Sequence, residues 1–184
     1  MALKATIFKA ELQIADMDRN YYRDHTLTLA RHPSETDERM MVRLLVFALH
    51  AHEALIFGKG LSTDDEPDLW QKDLTGAIEI WIDVGLPDEK RIRKACGRAR
   101  QVFVYSYGGR VAEMWWNQNS GKLERIKNLA VINLPLETSS AMARLAQRGM
   151  QLQCTIQDGQ VWVGDTENSV QVERVTLMQP RLSV

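Results

Sequence analysis

Apolar and polar positions alternate through residues 3–14 (Leu-Lys-Ala-Thr-Ile-Phe-Lys-Ala-Glu-Leu-Gln-Ile), which predicts a strand, with turn chemistry following at Asp16 and Asp18. A second strand is predicted through 20–31, where Tyr22, Leu27 and Leu29 supply the apolar positions. Pro33 and Ser34 announce a helix, and Ser34 with Asp37 three residues later resembles a capping box, in which each side chain satisfies a free backbone N–H. Met40, Met41, Leu44, Leu45, Phe47, Ala48, Leu49, Ala51 and Leu55 then recur at broadly helical spacing. They predict a long, well-buried helix at about 35–54, with Gly58 and Gly60 ending the region.

An acidic loop, Asp64-Asp65-Glu66-Pro67-Asp68, precedes Trp70, and Gly76 opens the strongest strand, Ile78–Val84. Its period is two: Ile78, Ile80, Ile82 and Val84 share one face, and Glu79, Trp81 and Asp83 the other. Gly85 and Pro87 break it. A helix through about 88–99, a strand over 101–107 and a short helix carrying Trp115 and Trp116 are expected next. The two indoles sit roughly 100° apart around that helix, so one of them is expected to mark an interface. A strand near 127–133, a helix near 138–147 and a hairpin complete the chain, the hairpin turning at Asp158-Gly159, a type I′ pair, between Met150–Ile156 and Gln160–Val163. The β-rich ends, 1–31 and 148–178, are expected to pair in one sheet, because neither has enough strands to stand alone. With no repeat and no break in composition, residues 1–184 read as one domain.

Composition narrows the function classes. A chain of 184 residues with 45% apolar and 26% charged residues is globular rather than disordered. Its net charge of −1 excludes coating of nucleic acid by bulk positive charge, but not a local basic patch. Two distant cysteines, Cys96 and Cys154, exclude a disulfide scaffold or a cysteine-rich zinc site. No apolar run reaches the ~20 residues of a membrane span, and the N-terminus has no signal-peptide core, so a cytoplasmic protein with no membrane partner is expected. Phosphate-loop and nucleophile-elbow motifs are absent. His50 and His52, at i and i+2, point to different helix faces and make no zinc pair.

The informative stretch is 64–105. Asp83, at the end of an apolar strand, needs a partner, because an unpaired buried charge costs several kcal/mol. The acidic loop offers Asp68, with which it could hold a divalent cation; the following helix offers cations. Lys90, Arg91, Arg93, Lys94, Arg98 and Arg100 fall within eleven residues, and Lys90, Lys94 and Arg98 form a stripe at i, i+4, i+8. This is either a solvated helix face or a surface aimed at phosphates or at the strand carboxylate. Glu53, in the last turn of the predicted long helix, is disfavoured by the dipole there and would need a metal or an arginine, unless it is simply exposed.

The order helix (35–54), two short strands through the acidic loop, the 78–84 strand, helix (88–99) and strand (101–107) resembles the αβββαβ core of the PD-(D/E)XK, or restriction-endonuclease-like, nuclease superfamily. More specifically, the chain is similar over its length to the YaeQ family of small bacterial proteins. The likeness is carried by Ala-Leu-Lys-Ala-Thr-Ile at the start, Thr28–Thr36, Asp64-Asp-Glu-Pro67, Trp81–Glu89, Lys94-Ala-Cys96 and Thr155–Gly159. The resemblance implies an α/β (α+β) fold with extra terminal strands around that core. It further implies a Mg²⁺ site at Asp68, Asp83 and Glu53, with Glu66 and Glu79 as alternatives to Asp68. Gly85 stands where the superfamily has its lysine, so the base would come from Lys94 or Lys90 in the next helix. Lys90, Arg91 and Arg98 are the expected nucleic-acid contacts. Two functions follow: a Mg²⁺-dependent nuclease using Asp68, Asp83 and Lys94, or an inactive nuclease fold that binds nucleic acid or a protein partner.

Overall fold

The computed structural model describes residues 4–59 and 65–181, so Gly60 and Asp64 lie outside the described residues. In chain order the elements are β1 (Thr6–Asp16), β2 (Tyr21–Arg31), α1 (Asp37–Leu49), β3 (Leu55–Phe57), β4 (Leu69–Lys72), β5 (Ile78–Val84), α2 (Glu89–Arg98), β6 (Ala99–Ser106), α3 (Arg110–Leu123), β7 (Leu129–Asn133), α4 (Leu136–Ala143), β8 (Gly149–Gln157), β9 (Gln160–Gly164), β10 (Ser169–Val172) and β11 (Val175–Met178). The described residues thus form an α+β protein of two mixed sheets and four helices. They fall into two compact units, Met1–Leu49 with Glu137–Glu173 and His50–Leu136 with Arg174–Val184. Each unit draws on separate stretches of chain, which is why no change of composition marks the division.

The first unit contains a sheet in the order β10-β9-β8-β1-β2. Phe8, Ala10, Leu12 and Ile14 are buried on alternate positions of β1, as the period of two requires. β1 runs parallel to β8, with Lys9 opposite Gly149 and Asp16 opposite Ile156, so the two ends of the chain meet as expected. At the β8–β9 hairpin Asp158 (φ 52°) and Gly159 (φ 75°) both take the left-handed conformation of a type I′ turn. Their N–H groups donate to the carboxylate of Asp18 at 2.8 and 2.9 Å.

Helix α1 is buried on every side from Met40 to Ala48. Its start differs from the expected capping box. Thr36 accepts from the N–H of Arg39 at 3.1 Å and caps the helix, while Ser34 is hydrogen-bonded to the His32 ring. The helix also ends at Leu49, earlier than its apolar spacing predicts. The imidazole of His52 accepts from the N–H of Ala54, and Leu55 N–H donates to the His52 carbonyl, a local turn that competes with a further helical turn.

The second unit contains the sheet β11-β7-β6-β5-β4-β3. β3, β4 and β5 pair antiparallel, and β5, β6 and β7 parallel. β11 pairs antiparallel with β7, so this last strand departs from the expected terminal sheet. The core here gathers Trp70, Trp81, Ile92, Val102, Val104 and Trp115. Trp115 is buried and donates its indole N–H to the Pro87 carbonyl at 2.8 Å. Trp116 packs half-buried against the same cluster, its ring tilted 38° to that of Trp115. Both indoles are therefore used within the unit. Among the described residues no helix is long and apolar enough to cross a membrane.

Candidate functional site

The site grows from the end of β5. Here both faces of the strand are covered and Trp81, Ile82, Asp83 and Val84 are all buried, while Ile78, Glu79 and Ile80 are all half-buried, so the two faces expected from the period of two do not differ in burial. Pairing with β4 ends at Leu69 opposite Ile82, which would leave the Val84 N–H without a ladder partner. Asp68, just ahead of β4, fills that position: its own N–H donates to the Ile82 carbonyl at 3.1 Å, and its carboxylate accepts from Val84 N–H at 2.7 Å. The chain then leaves β5 through Gly85, whose φ of 109° is a conformation that side-chain-bearing residues rarely adopt. Gly85 N–H donates to the Tyr105 carbonyl.

Asp88 caps α2, its carboxylate accepting from Arg91 N–H at 2.8 Å. That cap places the Arg91 side chain over the end of β5, where it grips Asp83 in a two-pronged pair: Nε to one carboxylate oxygen at 2.9 Å and Nη2 to the other at 3.0 Å. Burial is the largest influence on Asp83 and pushes its pKa above the ordinary carboxylate value. Arg91 opposes the rise through its hydrogen bonds and charge, and the nearby Asp68 adds to it. The buried indole N–H of Trp81 also favours the ionised carboxylate, yet it lies outside hydrogen-bonding geometry and has no such partner among the described residues.

Beside this pair lies a cavity of about 310 Å³ lined by Trp81, Asp88, Lys90, Arg91, Lys94 and Ala95. Lys94 pairs with Asp65 at 3.0 Å, whereas Lys90 makes no ion pair among the described residues. Arg98 sits over the Trp81 ring, 5.0 Å from its centroid, which leaves that indole a packing element rather than a platform for stacking bases. Cys96 lies at the back of α2, half-buried, and burial pushes its thiol up to about 12, far from a reactive thiolate.

The residues singled out by sequence are thus sorted. Asp68 and Asp83 come together, buried at the β4–β5 ends. Glu53 does not join them. It is exposed in the turn between α1 and β3, outside any helix, so the dipole argument for a bound partner lapses. Glu66 accepts from Lys59 N–H, and Glu79 pairs with Arg100 at 3.3 Å. No group of three or more His, Cys, Asp or Glu among the described residues is placed to hold a metal ion. Both oxygens of Asp83 accept from Arg91 and one oxygen of Asp68 accepts from the β5 backbone, so a Mg²⁺ ion at these carboxylates would first have to displace the Arg91 guanidinium.

The helix after Pro87 is expected to offer a cation to the strand acid, and Arg91, named individually only as a nucleic-acid contact, is the one that pairs with it. Its position in the first turn after the Asp88 cap is the signal that could have shown this. Gly58, read from the sequence only as ending the helical region, also has a packing role. A Cβ there would come within 2.1 Å of the Pro67 carbonyl oxygen, and Gly58 N–H donates to the Asp68 carbonyl. Gly58→Ala is expected to force apart the approach that seats Asp68, with a loss of about 1–3 kcal/mol in urea unfolding. A variant as stable as the wild type would show that the approach adjusts freely.

A mixed six-stranded sheet presenting a buried carboxylate pair beside a basic helix is the class of site this fold defines. The sequence model of the YaeQ protein family matches residues 1–174, and the chain belongs to that family. A relative from Escherichia coli K12 named "Uncharacterized protein YaeQ" is 48% identical over 180 residues, 98% of this chain and 99% of that protein. The crystal structure of YaeQ protein from Xanthomonas axonopodis pv. citri is 52% identical with a TM-score of 0.91, covering 96% of this chain and 99% of its own. That of YaeQ protein from Pseudomonas syringae is 35% identical, also with a TM-score of 0.91, over 96% of this chain and 98% of its own.

Proposed function

We propose that the protein is a restriction-endonuclease-like fold of the PD-(D/E)XK kind that has given up catalysis and serves as a nucleic-acid-binding module. The observed αβββαβ order, with β5 parallel to β6, supports the framework. The observation that carries the loss of catalysis is the two-pronged Arg91–Asp83 pair, which puts a guanidinium where the superfamily reading needs a metal ion. Gly85, at the position of the motif lysine, supports it from the backbone: a lysine at φ 109° would be strained by about 1–3 kcal/mol. Lys90, Lys94 and Arg98 supply the cations that phosphates would meet. With a net charge of only −1, attraction comes from this local face and is correspondingly salt-sensitive.

The competing reading, a Mg²⁺-dependent nuclease using Asp68, Asp83 and Lys94, draws support from the adjacency of the two buried acids. It requires Arg91 to release Asp83. Fluorescence anisotropy with a short labelled duplex at low salt, with and without Mg²⁺, separates the two. Binding without strand cleavage is expected, and Lys90→Ala with Lys94→Ala should weaken it about tenfold and flatten the dependence of log Kd on log salt by about one per lysine. Mg²⁺-dependent cleavage that Asp83→Asn abolishes would overturn the proposal in favour of the nuclease.

A further inference from the structure

The basic face of α2 is already engaged by the chain's own acidic segment. Arg91 Nη2 donates to the Glu66 carbonyl at 3.1 Å, Lys94 Nζ pairs with the Asp65 carboxylate at 3.0 Å, and Arg98 Nη1 donates to the Asp65 carbonyl at 2.9 Å. Positions 91, 94 and 98 follow at i, i+3 and i+7, so one face of the helix closes over two consecutive residues. The segment is held from its other side as well. Lys59 N–H donates to the Glu66 carboxylate at 3.0 Å, and Gly58 N–H to the Asp68 carbonyl at 2.9 Å.

We propose that Asp65 is a built-in competitor for the nucleic-acid backbone, its carboxylate and carbonyl taking the donors of Lys94 and Arg98 that a phosphodiester would otherwise receive. This rests on the binding function proposed above and adds its regulation. The chemistry is an exchange of like for like. A carboxylate and a phosphodiester each present a singly charged oxygen to an ammonium, so a phosphate reaches Lys94 only once the Asp65 pair opens. Lys94 and Asp65 are 58% and 80% exposed, so the pair is readily broken and tunes affinity rather than blocking it. The hydrogen bond from Lys94 also holds the Asp65 carboxyl below the usual range, which keeps the competitor charged in mildly acidic solution. Lys90, one turn nearer the N-terminus and without an ion pair among the described residues, is the donor left open for first encounter.

The test is the affinity of Asp65→Asn for a short labelled duplex at low salt, beside wild type and Asp24→Asn. The latter removes the same charge from an exposed position on β2. Asp65→Asn is expected to bind about three- to fivefold tighter than wild type, the scale of one exposed ion pair, while Asp24→Asn matches wild type. Lys94→Ala should then lose more affinity in the Asp65→Asn background than alone. Equal or weaker binding by Asp65→Asn, with wild type binding normally, overturns the competitor and leaves the binding function standing. Binding by neither protein overturns both, and binding by Asp65→Asn alone makes Asp65 a stronger competitor than its exposure implies.

Discussion

Arg91→Ala is expected to destabilise the protein by about 3–5 kcal/mol near neutral pH, because it strips the partner from a carboxylate that stays buried. Asp83 is 2% exposed, and its neighbour Asp68, equally buried, is a second negative charge rather than a replacement cation. The loss should depend on pH with a definite sign. The folded-state pKa of Asp83 is raised, so the native state holds its proton more tightly than the unfolded chain does. Stability from this group is therefore full below the unfolded pKa and is lost as pH rises through the folded one. Removing Arg91 removes influences that lower that pKa, so the folded value climbs further. The deficit of the variant against wild type should shrink as the pH is taken from about 8 to about 5 in urea unfolding. A deficit unchanged with pH would exonerate Asp83. Adding Asp83→Asn to Arg91→Ala should recover most of the loss, since a neutral amide has no charge to leave unpaired.

Glu35→Ala should cost a similar amount, about 3–5 kcal/mol, in the other unit. Glu35 receives Arg43 through both carboxylate oxygens, at 2.6 and 3.0 Å, and Arg39 at 2.6 Å. Arg43 also donates to the Ala30 carbonyl at 3.1 Å, so the pair ties α1 to β2. The Arg43 side chain is only 8% exposed, and without Glu35 its charge remains inside without the carboxylate that neutralises it. Thermal unfolding reads the loss directly. Glu35→Gln separates charge from hydrogen bonding: it keeps an acceptor for Arg43 and should lose less than Glu35→Ala. Equal losses would mean that ionic attraction, rather than an acceptor of the right shape, holds the helix there.

Both pairs show where sequence reading stops. Asp83 is visible as an acid on an apolar strand, and its need for a partner follows from desolvation alone, whereas Glu35, in the loop ahead of α1, carries no such local signal. Which cation answers Asp83 does not follow. Arg91 is one of six basic residues within eleven, and only the Asp88 cap, which fixes where α2 starts, aims that one at Asp83 rather than its neighbours. The Lys90–Lys94–Arg98 stripe was legible from spacing, but not that Asp65 would lie against it. The setting of Glu53 depends on helix length, and α1 ends at Leu49, ahead of the turn in which His52 accepts from the Ala54 N–H.

The sequence by itself determined the elements whose signals are local. The alternation of β1, the apolar spacing of α1, the positive-φ turn at Asp158-Gly159 and the αβββαβ order follow from side-chain periodicity and turn chemistry within a few residues of each position. Tertiary structure alone decided what joins distant stretches: β11 beside β7 instead of in the terminal sheet, Asp68 completing the ladder at Val84, and the Arg91–Asp83 grip. These are choices among partners with similar local propensity. They are settled by which arrangement leaves no buried charge unpaired and no backbone N–H unmet, conditions that exist only once the chain has closed on itself.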